Sequence, residues 1–277
     1  MFFGRPAESS APIGLIAGKG EFPLVFAQAA SSLGKKVILF GLQGYTDKRI
    51  EGFVEKAHYV ELGALGRLLE FLKQSGIRGV VLAGAVPKRE IYNAGFPLDD
   101  TARGFIHGNA NKGDDHLLRA LTVFLKVKCG VSVLDSRRFL KDILASKGVM
   151  TRRVPTGAEW EDLKLGWRVA KAVGKMDVGQ TVVVKDGVVL AVEALEGTDA
   201  AIRRGGELGH GGCVVVKAAK PNQDLKFDLP CVGLETLEAL RSASSGVLGV
   251  EAGKTLMLFK DKLLAAADDR GVAVVGL

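Results

Sequence analysis

The first half of the chain alternates two kinds of hydrophobic pattern. Ile13-Gly14-Leu15-Ile16-Ala17, Lys36-Val37-Ile38-Leu39-Phe40 and Gly79-Val80-Val81-Leu82-Ala83 are short, almost wholly apolar runs, as strands buried on both faces of a parallel sheet are. Leu24 to Leu33 reads as a helix. Leu65, Leu68, Leu69 and Leu72 recur at i, i+3, i+4 and i+7, the stripe of an amphipathic helix. Leu117, Leu118, Leu121, Phe124 and Leu125 repeat that stripe ahead of a further strand, Val131-Ser132-Val133-Leu134. Strands alternating with helices predict a doubly wound, Rossmann-like parallel sheet over residues 1–135.

The texture then changes. Arg137 to Met150 is charged and reads as a helical connector, placed here within residues 136–157, and Thr151 to Gly157 reads as a loop before a new helix. Thr181-Val182-Val183-Val184 and Val188-Val189-Leu190-Ala191 flank Asp186-Gly187, the pair that supplies positive φ to a tight hairpin turn. Strand-like runs recur at Cys213 to Val216, Val247 to Val250, Thr255 to Phe259 and Val272 to Val275. Helical segments fall near Asp199 to Arg204, Leu234 to Ser242 and Lys262 to Asp269. Residues 158–277 are therefore expected to form a mixed α/β domain, so that the whole chain is α/β.

Composition narrows the function without choosing it. In 277 residues, 47% hydrophobic and 25% charged, glycine and proline number only 36 and 8, which excludes disordered and collagen-like chains. The net charge is +7, but the basic residues are scattered and only 6% of the chain is aromatic. Nucleic-acid binding is not expected, because it concentrates basic charge on one face and interleaves aromatics. The surplus suits a phosphorylated ligand or an anionic membrane surface. Cys129, Cys213 and Cys231 are odd in number and widely separated, which argues for a reducing cytoplasm and against both disulfides and a thiolate zinc site. No leader-like or membrane-spanning run is read at the N-terminus or elsewhere.

Several chemical motifs are approached and missed. Gly18-Lys19-Gly20-Glu21-Phe22-Pro23 follows the first strand where a dinucleotide fingerprint would lie, yet its third glycine position holds Pro23. The acidic ribose partner expected after the second strand is also missing. What remains is a glycine turn delivering backbone amides and a helix N-terminus toward an anion. Gly253-Lys254-Thr255 imitates the end of a phosphate-binding loop, but position 248 is leucine and the segment runs into a strand-like stretch. Its expected structure is a turn between strands. The four histidines lack zincin spacing, and no Gly-x-Ser-x-Gly elbow occurs. Gly113-Asp114-Asp115-His116 opens a helix, where carboxylates favour the macrodipole. Lys217 to Pro230 crowds polar groups directly after a buried-looking strand, and Glu196-Gly197-Thr198-Asp199 is a further candidate, with Thr198 as the expected helix cap.

Five segments in order carry a resemblance: Gly14 to Pro23, Ala83-Gly84-Ala85-Val86-Pro87-Lys88-Arg89, Glu196 to Asp199, Lys220-Pro221-Asn222-Gln223-Asp224, and Val250-Glu251-Ala252-Gly253-Lys254-Thr255. Together they resemble the LpxI family of UDP-2,3-diacylglucosamine pyrophosphatases of Gram-negative lipid A synthesis. The resemblance implies two domains with the site between them. It implies magnesium-dependent hydrolysis of a small glycolipid nucleotide to UMP and 2,3-diacylglucosamine 1-phosphate (lipid X), by attack of water on the α-phosphorus. The family's essential aspartate falls on Asp224. By chemistry and location Lys220 and Gln223 join it as catalytic candidates, Gly18, Lys19, Gly20, Lys88 and Thr198 as substrate-binding candidates, and Asp224, Asp199 and Glu196 as magnesium ligands. A cytoplasmic protein touching the inner-membrane surface, and able to form a homodimer, is the corresponding expectation. A dinucleotide-dependent oxidoreductase and a non-catalytic nucleotide or lipid carrier are the rival readings.

Overall fold

A computed structural model describes residues 11–86, 95–109, 114–221, 224–226 and 229–277. The chain divides into two compact units, Met1–Phe139 and Leu140–Leu277.

The first unit is built on β1 (Ile13–Ala17), α1 (Phe22–Ser32), β2 (Val37–Leu42), β3 (Lys56–Val60), α2 (Leu65–Gln74), β4 (Gly79–Ala83), α3 (Asp100–Gly108), α4 (Asp114–Cys129) and β5 (Ser132–Val133). The strands form a fully parallel sheet of order β3-β2-β1-β4-β5. Leu15, Leu39, Val80 and Val81 are completely buried in its centre, and Phe26 and Leu72 bring helices onto it. β3 escapes the apolar pattern because it is an edge strand whose Lys56 is exposed. Its His58 ring stacks on Phe40 at 5.7 Å and lies 4.5 Å from Phe71. Burial, with Lys56 and Arg67 nearby, lowers the pKa of that imidazole. It is an aromatic packing group.

The second unit contains β6 (Gly148–Val149), α5 (Gly157–Lys175), β7 (Thr181–Lys185), β8 (Val188–Val192), α6 (Thr198–Gly209), β9 (Val214–Lys217), β10 (Cys231–Val232), α7 (Leu234–Ser242), β11 (Val247–Val250), β12 (Leu256–Met257), α8 (Lys260–Asp269) and β13 (Ala273–Gly276). Its main sheet runs β6-β13-β11-β9-β7-β8, parallel through β13, β11 and β9 and antiparallel elsewhere. β10 and β12 make a separate parallel pair. Alternation sorts the two faces: Val182, Val184, Val214, Val216, Ala273 and Val275 pack with Leu163 and Ala170 of α5. Val183, Val215, Leu248 and Val274 pack with Ile202, Leu237, Leu240 and Leu263 of α6, α7 and α8.

Local chemistry fixes the elements. Thr156 and Glu159 form a reciprocal capping box at the start of α5. Asp186 and Gly187 both have positive φ in the β7–β8 turn, as expected. The buried Asp162 of α5 accepts both turn amides, at 2.9 Å and 2.7 Å. The helical reading of Arg137 to Met150 is corrected: the segment holds short 3₁₀ turns at Ser136–Phe139 and Lys141–Ile143, then β6. Its backbone is recruited elsewhere, since Ala145 N bonds Thr255 O, Met150 N bonds Val274 O, and Val149 pairs with Val275. Those partners are distant in sequence, so no local pattern announces them. Helix α4 does begin at Asp114, while the side chains of Asp114 and Asp115 lie outside the description.

α6 carries glycines at 205, 206 and 209, each a poor helix residue. Packing explains them: a Cβ at Gly206 would stand 2.2 Å from the Cβ of Ala243, and one at Gly205 2.6 Å from Val183. Gly206→Ala should therefore destabilise by about 1–3 kcal/mol through overpacking. By contrast Gly104→Ala, in an exposed helical position with nothing near its Cβ site, should stabilise by roughly 0.5–1 kcal/mol. Urea melts followed by circular dichroism check both signs. A stabilised Gly206→Ala would show that α6 does not need this closeness.

Candidate functional site

In the first unit, the strand order reverses between β1 and β4, the place where doubly wound sheets form a crevice at the carboxyl ends of their strands. The turn Gly18-Lys19-Gly20 leaves β1 at this point. Two of its amides are engaged: Gly18 N donates to Ala83 O and Lys19 N to Ala85 O, each at 2.8 Å. Ala85 N returns a bond to Lys19 O at 2.9 Å. Glycine is required at 18, where a Cβ would stand 2.3 Å from the Ala85 oxygen. Gly20 has φ +103 and open space about its α-carbon. Beyond it α1 begins with no side-chain cap on its amides and with Pro23 in its first turn. An anion here would meet Gly20 and the positive end of α1, while the Gly18 and Lys19 amides face the neighbouring loop.

In the second unit the end of β9 is the focus. Lys217, its last residue, pairs with Thr181 at the start of β7 and Val250 at the end of β11. That register gathers the loops after β8, β9 and β11, with the first turn of α6, at one end of the sheet. The buried Lys217 ammonium donates to Thr198 Oγ1 and to Cys231 O, both at 3.0 Å. It thus ties together the two ends of the segment holding Asp224. Thr198 in turn donates to Glu193 Oε1 at 2.9 Å. The expected cap role of Thr198 is corrected: Gly197, with φ +85, is the N-cap, and Thr198 turns its hydroxyl inward to Lys217 and Glu193.

Glu251 follows β11 and is only 5% exposed. Its Oε2 accepts from Lys171 Nζ at 2.6 Å and from Ala219 N at 2.8 Å, and its Oε1 meets Lys254 Nζ at 2.7 Å. Burial pushes the Glu251 pKa upward, but the bonds from Lys171 and Lys254 outweigh it, and the carboxyl is held below its ordinary value. Lys171 also donates to Ala219 O at 2.9 Å.

The residues singled out in the sequence have distinct surroundings. Lys220 donates to Asp177 at 2.6 Å. Asp224 accepts from Lys226 N at 3.1 Å through Oδ1, and Asp199 stands in the first turn of α6. Glu196 is exposed and engaged through both oxygens, by Arg204 at 2.6 Å and by Ala194 N at 3.0 Å. The Arg204 hydrogen bond holds its carboxyl below the usual range. Lys88 and Gln223 lie outside the described residues. Among the described residues, no three His, Cys, Asp or Glu side chains gather into a metal-binding group. Lys217 opened the polar stretch singled out in the sequence but, like Glu251, was given no role of its own, although each is a charged residue at the end of an apolar strand run. That signal was readable. Glu193, directly after β8, carries the same signal; Lys171, inside α5, left no comparable trace.

Comparison with known proteins bears on this arrangement. The LpxI N-terminal domain model matches residues 12–143 and the LpxI C-terminal domain model residues 146–275. The UDP-2,3-diacylglucosamine pyrophosphatase LpxI of Caulobacter vibrioides is 32% identical over 280 aligned positions, covering 96% of this chain and 97% of that protein. Among solved structures, the biotin carboxylase domain of Hydrogenobacter thermophilus 2-oxoglutarate carboxylase aligns at 12% identity and a TM-score of 0.26. That alignment covers 64% of this chain and 35% of the other. The biotin carboxylase subunit of a pyruvate carboxylase gives 13% and 0.24, over 62% and 34%. The chain spans about a third of those two structures, and likeness this slight carries no argument.

Glu251 has a consequence for acid stability. Because its folded pKa is depressed, its contribution is complete above the ordinary value of 4.5 and is lost as pH falls through the lower folded value. Glu251→Gln should cost about 1–3 kcal/mol at pH 7, since Lys171 and Lys254 lose a buried charged partner. The same variant should show a shallower loss of stability below pH 4.5 than the wild type. Urea melts across that range measure both. Parallel curves would remove Glu251 from the acid response.

Proposed function

Because this chain belongs to the LpxI family, we propose that it hydrolyses UDP-2,3-diacylglucosamine to UMP and 2,3-diacylglucosamine 1-phosphate, in lipid A biosynthesis, by attack of water on the α-phosphorus. The observation that carries this reading is the 32% identity to the Caulobacter vibrioides pyrophosphatase, which extends over 96% of the chain.

The residues can be given roles that suit phosphoryl transfer, where charge neutralisation and positioning matter more than a protein nucleophile. Asp224 lies in the loop after β9, with its Oδ1 on the Lys226 amide. Its carboxylate is given the role of orienting the attacking water or meeting a cation. Lys220, held by Asp177, supplies fixed positive charge at the root of the same loop. The Gly20 turn and the start of α1 offer amides to a phosphate oxygen. Thr198, fixed between Lys217 and Glu193, sets the position of the helix turn that carries Asp199.

A magnesium ion fits part of the proposed donor set. Magnesium is ordinarily held by one or two carboxylates together with substrate phosphates, and Asp224 with Asp199 suits that pattern. Glu196 does not, because Arg204 and Ala194 already engage both of its oxygens. Bound there, magnesium would supply charge neutralisation for the pyrophosphate. Among the described residues no helix is long and apolar enough to cross a membrane. In our proposal the reaction takes place in the cytoplasm, with the diacylated substrate met at the inner-membrane surface.

The direct test is purified protein with UDP-2,3-diacylglucosamine and magnesium in oxygen-18 water, with and without EDTA. UMP should carry the label, lipid X should not, and EDTA should abolish turnover. Label in lipid X would refute attack at the α-phosphorus, and undiminished turnover in EDTA would refute the cation.

Asp224→Ala should fold normally and lose at least ~10³-fold in kcat, the scale of removing a key electrostatic group. Glu196→Ala should lose less than about tenfold, since its carboxylate serves a surface ion pair of small value. Steady-state kinetics on both variants decide this. A reversed order would move the cation site to Glu196.

A further inference from the structure

We propose that Lys171 and Glu251 are positioning residues that set the exit direction of the Asp224 loop by holding the backbone of Ala219 through both its N–H and its C=O. This deepens the reading of Asp224 given above and rests on it.

β9 is paired on both edges up to Lys217, with Thr181 on one side and Val250 on the other. Beyond that residue the chain must leave the sheet, and the first backbone groups to leave need partners. On the β7 side the ladder continues by one backbone bond, Ala218 N to Gln180 O at 3.0 Å. On the β11 side there is no further strand pair, because β11 ends at Val250. There the Glu251 side chain takes over, accepting from Ala219 N at 2.8 Å. The Lys171 ammonium reaches from α5 to donate to Ala219 O at 2.9 Å. The two side chains are bonded to each other at 2.6 Å. One ion pair therefore satisfies both the donor and the acceptor of a single residue at the root of the loop.

The packing leaves this grip little freedom. Ala219 is 2% exposed and Glu251 5%. Lys171 lies over the Trp167 ring, 4.9 Å from its centroid, and Lys254 holds the second oxygen of Glu251. Glu251 is the buried member of the pair and Lys171 is half-buried; an arrangement that keeps the buried carboxylate paired is favoured, since leaving it unpaired is costly. Lys220, the next residue, is directed to Asp177, and Pro221 follows it. The path from Ala219 to Asp224 is thus constrained at its first two residues. Neither Lys171 nor Glu251 is assigned contact with substrate. They act on chemistry through the placement of Asp224, and a misplacement of about 1 Å at a reacting group can lower a rate by around 10²-fold.

The experiment compares Glu251→Ala, Glu251→Gln and Lys171→Met in the full chain. Amide hydrogen exchange without substrate reads the grip, and steady-state kinetics with UDP-2,3-diacylglucosamine read its effect. In Glu251→Ala and Lys171→Met the Ala219 amide should exchange at least ~10-fold faster, while Val214–Lys217 remain protected as in wild type, a local opening distinct from global unfolding. kcat should fall by about 10²-fold with KM changed less than about threefold, the split expected when only the transition-state arrangement suffers. Glu251→Gln, which keeps an acceptor for the Ala219 amide, should recover part of both losses. Unchanged exchange at Ala219 in the two stronger variants would overturn the grip. So would normal kcat in a variant whose Ala219 exchange has risen. Failure of the Asp224 reading would show separately, as full turnover in Asp224→Ala with the exchange response of Ala219 intact.

Discussion

A strand buried on both faces and paired on both edges can offer chemistry only where it stops. β9 is such a strand: Val214, Val215 and Val216 are inaccessible, and its neighbours β7 and β11 occupy both edges. Everything polar is therefore displaced to its carboxyl end. There Lys217, Ala219 and Lys220 each find a specific partner in Thr198 and Cys231, Glu251 and Lys171, and Asp177. Those partners come from α6, β10, the loop after β11, α5 and the turn that follows α5. The site end of this unit is the sum of solutions to one problem, how a buried strand leaves its sheet without orphaned polar groups.

The same requirement explains which parts of the fold were legible in the sequence. Runs such as Val80-Val81-Leu82 and Val182-Val183-Val184 announce buried strands because every side chain must be apolar when both faces are covered. The leucine stripe of α2 and the Asp186-Gly187 turn are equally local statements. β3 was not legible, because Lys56, His58 and Tyr59 break the pattern in an edge strand. β6 was not legible either, since Gly148 and Val149 join the sheet through pairing with β13, far along the chain. Arg137 to Met150 looked helical for the same reason: charge spacing is local, whereas the bonds of Ala145 and Met150 are not.

The candidate site shows this division more sharply. Lys220 and Thr198 entered the candidate set because they stand in motif-like clusters, and Asp224 through the family resemblance. The particular job of Thr198 could not be read, since a threonine before a helical run reads as a cap until Gly197 is seen to adopt a conformation suited to glycine. Glu196 belonged on any list of carboxylates near the helix start. Only the fold reveals that Arg204, two turns along α6, already occupies it. Glu251 and Lys171 are far apart in sequence and converge on one residue, Ala219, a relation that a single chain of letters does not express.

The closeness of α6 to its neighbours also limits how this end of the molecule can move. With Gly206 against Ala243 and Gly205 against Val183, the helix has no gap in which to rotate or slide. The turn bearing Thr198 and Asp199 is consequently a fixed wall. A wall of this kind presents the same surface at every moment, so what it accepts is decided by shape rather than by adjustment.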